Sequence, residues 1–248
     1  MFPRLSFFDI LKLFFRALFA LLVIAVFVVL FWRMNAARVP EHLLTLSPNA
    51  TLLEAYEKEG DALQKLTQEQ NTITRTKENY GYFASSSAIF VPAADQLQLL
   101  VRYNDSTLKA LAEDYALDFL PESDKDWYDV TLVLALDKTP EDATDNLASD
   151  PESVELVRVK ATALAAREHK GRHSYRKFIF DGISFDEYLL AVYVDFYYTG
   201  DLRYENEDFD IYEDKAYGTL CLYAHTEADI NKTAPLSEKD KAALNAAK

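Results

Sequence analysis

The spacing of apolar and polar residues changes character three times along the chain. Residues 17–32, ALFALLVIAVFVVLFW, hold no charge, no Gly and no Pro, and Leu13, Phe14 and Phe15 extend the run backwards past Arg16. As a helix, 13–32 spans about 30 Å, the thickness of a bilayer's hydrocarbon core. A helix also pairs its backbone polar groups internally, as lipid requires. The pattern therefore predicts a transmembrane helix over 13–32. It has no polar face of the kind a soluble helix shows. It is longer than the apolar core of a cleaved signal peptide, and the small-x-small pattern is poor, because Met34 and Asn35 lie two residues ahead of Ala36 and Ala37. A retained signal anchor is the expectation. Residues 1–12, with Phe2, Phe7, Phe8, Ile10 and Leu11, read as an apolar leader lying in the inner interface.

From 39 to 80 the period becomes helical. Ser47-Pro48 has the form of an N-cap followed by Pro, and Leu52, Tyr56, Leu63, Leu66 and Ile73 form an incomplete heptad seam interrupted by Glu59, Gly60 and Gln70. This predicts a helical stalk or linker over 39–80, packed in part on the domain C-terminal to it.

After Asn79-Tyr80-Gly81 the period becomes two. Strands are expected over 87–91 (an edge strand, ended by Pro92), 96–103, 127–136, 154–167, 174–180, 189–198 and 217–225. Residues 189–198 are apolar on both faces and so predict a central strand. A helix capped by Asp105 or Ser106 interrupts at 105–115, and His169-Lys170-Gly171-Arg172 reads as a hairpin turn. Seven strands with such turns predict a mainly β fold: an immunoglobulin-like antiparallel β-sandwich over 83–226, without the Cys…Trp…Cys signature of antibody domains. Residues 227–248, with Ser237 and Glu238 as a capping signal, read as a polar C-terminal tail or short surface helix.

Charge sharpens this picture. The chain of 248 residues carries 26 basic and 40 acidic residues, net −14. The first 38 residues hold Arg4, Lys12, Arg16, Arg33 and Arg38 against Asp9, which leaves 21 basic and 39 acidic residues, net −18, for the rest. So acidic a domain argues against a nucleic-acid partner. Arg4, Lys12 and Arg16 precede the span and Arg33 and Arg38 come after it, a small bias towards a cytoplasmic N-terminus and an extracytoplasmic C-terminal domain at the cell membrane. Cys221 is the single cysteine and reads as a small buried hydrophobe within a strand.

Candidate chemistry is sparse. The acidic run 201–214 offers Asp208, Asp210 and Asp214 as oxygen ligands for Ca²⁺, without EF-hand spacing; no other cofactor is suggested. Around the hairpin lies a basic cluster in an acidic domain: Arg167, His169, Lys170, Arg172, His173, Arg176 and Lys177. A patch of one sign steers partners of the other, so Arg167, Lys170, Arg172, Arg176 and Lys177 are candidates for contacting an acidic protein or an anionic glycan. His169 and His173 across the hairpin suggest at most an incomplete metal site. No G-x-S-x-G, Walker or dinucleotide motif is present. Asn49-Ala-Thr, Asn104-Asp-Ser and Asn231-Lys-Thr fit the N-glycosylation pattern. The expectation is a single-pass membrane protein whose β domain is a non-enzymatic binding or structural module of the cell envelope. A membrane-anchored hydrolase acting on an envelope substrate is the alternative.

Overall fold

The computed structural model describes residues 7–68, 71–72, 83–114, 116, 118, 128–137, 154–184, 189–198, 216–224 and 233–248. The chain divides into two compact units, Met1–Arg38 and Val39–Lys248. The first is built on one helix, α1 (Phe7–Ala37). It is long and apolar enough to cross a membrane, and none of its apolar window is buried. Phe27 and Phe31 are 67 % and 74 % exposed.

The second unit is mainly β, and every strand pair in it is antiparallel. The strands are β1 (Gln64–Gln68), β2 (Asn71–Thr72), β3 (Ala84–Val91), β4 (Gln96–Asn104), β5 (Tyr128–Asp137), β6 (Val154–Lys160), β7 (Ala163–Lys170), β8 (His173–Asp181), β9 (Leu189–Tyr198), β10 (Gly218–Ala224) and β11 (Ala234–Pro235). One sheet runs β11-β1-β3-β4-β8-β7, with β2 also on β3; the other runs β10-β9-β5-β6. Alternate residues of the two sheets meet in one core. Leu97, Leu99 and Val101 on β4 and Phe178 and Phe180 on β8 pack with Val130 and Leu132 on β5 and Val192 and Val194 on β9. At one end an aromatic group closes it: Phe83 lies 4.7 Å from both Phe196 and Tyr128.

The outer face of the first sheet is covered as well. Helices α2 (Ala50–Glu59) and α4 (Glu238–Ala246) bring Leu52, Tyr56 and Leu244 onto Ile89 and Val91 of β3. A 3₁₀ turn, Glu41–Leu44, places Leu43 on Leu100 and Tyr175. Helix α3 (Asp105–Asp114) joins the two sheets after β4.

Several expectations are corrected. Among the described residues of the helical stalk expected over 39–80, α2 and two 3₁₀ turns are helical, whereas 64–68 and 71–72 are the strands β1 and β2. Gly60, at φ +59, ends α2 where a left-handed residue costs glycine least. Leu63 and Leu66, three apart, have heptad spacing, but as extended chain they face opposite ways: Leu63 packs with α2 and Leu66 enters the sandwich core. Asn49, not Ser47, caps α2 by accepting from the Leu52 N–H at 3.0 Å, and Asn104 likewise accepts from Thr107 N at the start of α3. β3 is interior, since β1 pairs outside it. The single strand expected over 154–167 is two strands in different sheets, broken at Ala161-Thr162, where the Thr162 N–H turns to Ile179 O. Cys221 is exposed, because it faces away from the core that Leu220 and Leu222 enter. The tail docks as α4, with Leu236 and Leu244 buried.

Candidate functional site

The hairpin β7–β8 turns on Gly171-Arg172, and Gly171 has φ +66, the positive φ a type II′ turn needs at its first central residue. Register then assigns every basic residue of the sequence cluster to a face. Lys170 pairs with His173 and Glu168 with Tyr175 on the outer face, whereas Arg167 pairs with Arg176 and His169 with Ser174 on the inner one. His169 Nδ1 lies 3.1 Å from Ser174 Oγ. The two hairpin histidines thus project from opposite faces and do not converge on a metal. Among the described residues no three His, Cys, Asp or Glu side chains group as metal ligands.

Arg172 lies in the turn and is exposed; Lys170, half-buried, lies beside it on the outer face, and Arg167, exposed, lies three residues before Lys170 on the inner face. Arg176 and Lys177 do not join them, since each is only 1 % exposed. The Arg176 guanidinium enters the sandwich, 4.7 Å from the Tyr128 ring centroid and 5.5 Å from that of Tyr103. Such contacts contribute about 2 kcal/mol when desolvated. Burial raises the Tyr103 pKa, against the opposing pull of Arg176. Lys177 points the other way, to the outer face, where its ammonium donates to the Thr45 carbonyl. Burial pulls its pKa down to about 8, with Lys65 adding to the effect and Asp240 opposing it. Asp208, Asp210 and Asp214, with the whole acidic run 201–214, lie outside the described residues.

Beside the tip, the segment before α2, strand β7 and helix α4 border an open groove of about 650 Å³. Pro40, Glu41, His42 and Thr45 form one wall, Glu168 and Lys170 the second, Lys239 and Ala242 the third. His42 Nε2 lies 2.7 Å from the Glu168 carboxylate, and Lys239 pairs with Glu41. His42, Lys239 and Glu41 are exposed and Glu168 is half-buried, so each pair contributes at most about 1 kcal/mol. Enclosed small-molecule sites are mostly apolar; this groove is open and carries both signs of charge.

What holds the groove's wall in place is a buried network. Asp240 is fully buried and accepts from Leu46 N at 2.8 Å, Ser237 N at 3.0 Å and Lys65 Nζ at 2.6 Å. Burial alone would raise the Asp240 pKa; the hydrogen bonds from Lys65, Ser237 and Leu46 outweigh it and hold the carboxyl below its ordinary value. Gln98 bridges Ser47, accepting from its N–H at 2.8 Å and donating to its carbonyl at 2.9 Å. Asn49, besides capping α2, donates to Asp181 at 3.3 Å. Two of the three glycosylation patterns thus begin at asparagines engaged in caps.

The groove residues His42, Glu168 and Lys239 carry no mark of their own in the sequence. They come from three stretches joined only by topology, and no local spacing singles them out. No protein-family model, curated protein or solved structure matches the chain.

Proposed function

We propose that this chain is a single-pass, membrane-anchored binding or structural module of the cell envelope. In this reading α1 crosses the bilayer with the N-terminus in the cytoplasm, as a retained signal anchor. The β domain then works on the extracytoplasmic side, contacting a protein or an anionic glycan without catalysing a reaction and without a cofactor. The observation that carries the reading is α1 itself: a 31-residue helix whose apolar window is wholly unburied needs a hydrophobic surrounding.

The sandwich is read as immunoglobulin-like. Its strand orders β3-β4-β8-β7 and β10-β9-β5-β6 correspond to A-B-E-D and G-F-C-C′ of that architecture, with β1 and β11 added beyond the first strand. That correspondence supports the reading, and a module of this kind commonly binds through the loops at its ends.

The contact surface is the hairpin tip with the adjoining groove. In the full-length tagged chain, extracted in detergent, reversing Arg167, Lys170 and Arg172 to Glu is expected to remove the captured partner while leaving the melting temperature within about 2 °C, as for surface substitutions. An identical captured set from wild type and variant would overturn this assignment of the surface. Protection of the C-terminus from protease added to intact cells would overturn the orientation.

A further inference from the structure

An edge strand presents a row of unpaired N–H and C=O groups that templates another strand, and folds blunt it with short strands, Pro or bulges. In the first sheet β2 and β11 have two residues each, β11 includes Pro235, and it pairs with β1 at Gln64 and Lys65. At the other end of that sheet, β7 carries a bulge between Leu164 and Ala166. In the second sheet β10 carries one between Cys221 and Tyr223. β6 has none of these devices. Its seven residues, Val154–Lys160, include no Pro and pair with β5 from Asp137 to Thr131 without a register shift. Among the described residues no strand lies beyond it.

The side chains of β6 add to this. Val157 and Val159 turn inward and pack against the sandwich core, so alternation puts Val154, Leu156, Arg158 and Lys160 on the outer face. Leu156 is 58 % exposed, more than any other large apolar side chain described in the unit Val39–Lys248. An unbulged edge with an exposed leucine at its middle is a pairing surface rather than a solvated rim.

We propose that β6 pairs antiparallel with β6 of a second copy of this chain, about a two-fold axis at Val157, and so joins the two second sheets into one. A two-fold axis normal to such a pair keeps each face on its own side, so it passes between one residue and its own copy. At Val157 all seven residues of the strand overlap. Val154 then faces Lys160 of the second copy, Glu155 faces Val159 and Leu156 faces Arg158. No like charges are opposed, and each charged residue lies across from an aliphatic one that its stem covers. Moving the axis to Arg158 opposes two arginines, and moving it to Leu156 shortens the described overlap to 154–158.

Charge agrees with a second copy as the occupant. The chain after residue 38 is strongly acidic, so two copies repel over most of their surface. β6, with Arg158 and Lys160 against Glu155, has the opposite sign. The pairing requires no ion pair from Arg158, whose hydrogen bond to Tyr197 lies within its own sheet. A strand pair of this length is a small interface, so the dimer is weak, with dissociation on the order of micromolar. This association lies away from the hairpin tip and does not depend on α1 crossing a membrane.

The test uses the full-length chain in detergent. Cross-linking is read in a Cys221→Ser background, which removes the single native thiol. In Val157→Cys the two thiols meet with Cα atoms about 5 Å apart, within disulfide range, and a covalent dimer is expected on mild oxidation. In Val159→Cys they lie about 13 Å apart along the strand, and no covalent dimer is expected. Sedimentation equilibrium then reads the outer face. Leu156→Lys sets like charges opposite Arg158 twice per dimer and is expected to weaken association about tenfold. Leu156→Glu sets opposite charges there and is expected to associate at least as tightly as the wild type. Both are surface substitutions, so the melting temperature in dilute solution is expected to stay within about 2 °C.

A chain that stays monomeric up to about 100 μM would overturn the proposal and leave the edge to a strand from another protein. A dimer without the Val157→Cys cross-link would place the contact on another surface, α1 included, and would overturn it too. So would equal cross-linking of Val157→Cys and Val159→Cys, or equal loss of association in Leu156→Lys and Leu156→Glu, because either result removes the register.

Discussion

Adjacent residues on β8, Arg176 and Lys177, show how strand alternation sends two cations to different fates. Arg176 gives its charge to aromatic faces in the sandwich, and Lys177 gives its to a backbone carbonyl under the 3₁₀ turn. Lys177 has a measurable consequence. Its folded pKa is about 8, against 10.5 for the free side chain. Below about pH 8 both states hold the proton and the burial cost is constant. From there to about 10.5 only the unfolded chain holds it, so unfolding takes up a proton and stability rises with pH. The rise from pH 8 to pH 9.5 is expected to be about 2 kcal/mol by equilibrium denaturation. Burial holds Tyr103 and Tyr175 protonated above their ordinary pKa of 10.0, so the opposing loss of stability begins above that window. Lys177→Met keeps the apolar stem and is expected to flatten the profile; a flat wild-type profile would contradict the assignment. The burial of both cations was only partly legible. Charged residues are rarely buried, and the expected basic cluster rests on that rule. The contrary signal was present: Arg176 shares its strand face with Phe178 and Phe180, and Lys177 shares the other with Tyr175 and Ile179.

At the scale of elements, the C-terminal helix holds the segment before α2 onto the sheet through one side chain. Asp240 receives hydrogen bonds from 194 residues earlier in the chain, at Leu46 N, and from Lys65. Replacing it by Ala leaves a buried Lys65 ammonium, with a 15 % exposed side chain, facing no carboxylate. The expected loss is about 3 kcal/mol, read from the guanidinium midpoint. Ser237→Ala removes the cap and the hydroxyl's hydrogen bond to the Asp240 carboxylate but leaves those from Leu46 and Lys65, and is expected to cost about 1 kcal/mol. The ratio of the two losses is the test, because equal losses would mean that Asp240 acts only as part of the capping box. The sign of the acid response comes from the depressed carboxyl: its stabilisation is present above the ordinary value of 3.8 and is lost as the pH falls through the folded one. Elements with a strong period of their own, such as β4, β5, β9 and α3, were legible within a residue or two. The stretch from 39 to 80 was not, because Leu63 and Leu66 are at heptad spacing although they serve two different clusters, and only the pairing of β1 with β3 shows it. The groove was illegible for the same reason that Asp240 was: its walls meet through topology rather than spacing.

At the scale of the whole chain, the two units place opposite demands on solvent. The unit Val39–Lys248 buries its apolar residues in three clusters, and the strongly acidic balance after residue 38 favours water around it. The unit Met1–Arg38 exposes its apolar residues along the helix. If a bilayer supplies its surroundings, the cost of a charge there is set by depth. Arginine near the centre of a spanning helix costs about 3 kcal/mol, so two cost about 6. Ile24 and Val28 are one helical turn apart, 59 % and 61 % exposed, and near the middle of the apolar run. The double variant Ile24→Arg, Val28→Arg is therefore expected to leave the membrane fraction on alkaline carbonate washing, whereas the wild type stays in the pellet. A substitution at the end of the run is a control of similar chemistry: Trp32→Arg places its charge at interface depth, where the side chain reaches water, and it is expected to pellet with the wild type. Release of the wild type itself would make α1 a helix lying on the surface or held by another protein. Retention of the double variant would show that something other than the hydrocarbon core holds the chain, and would remove the tether from the reading of the β domain.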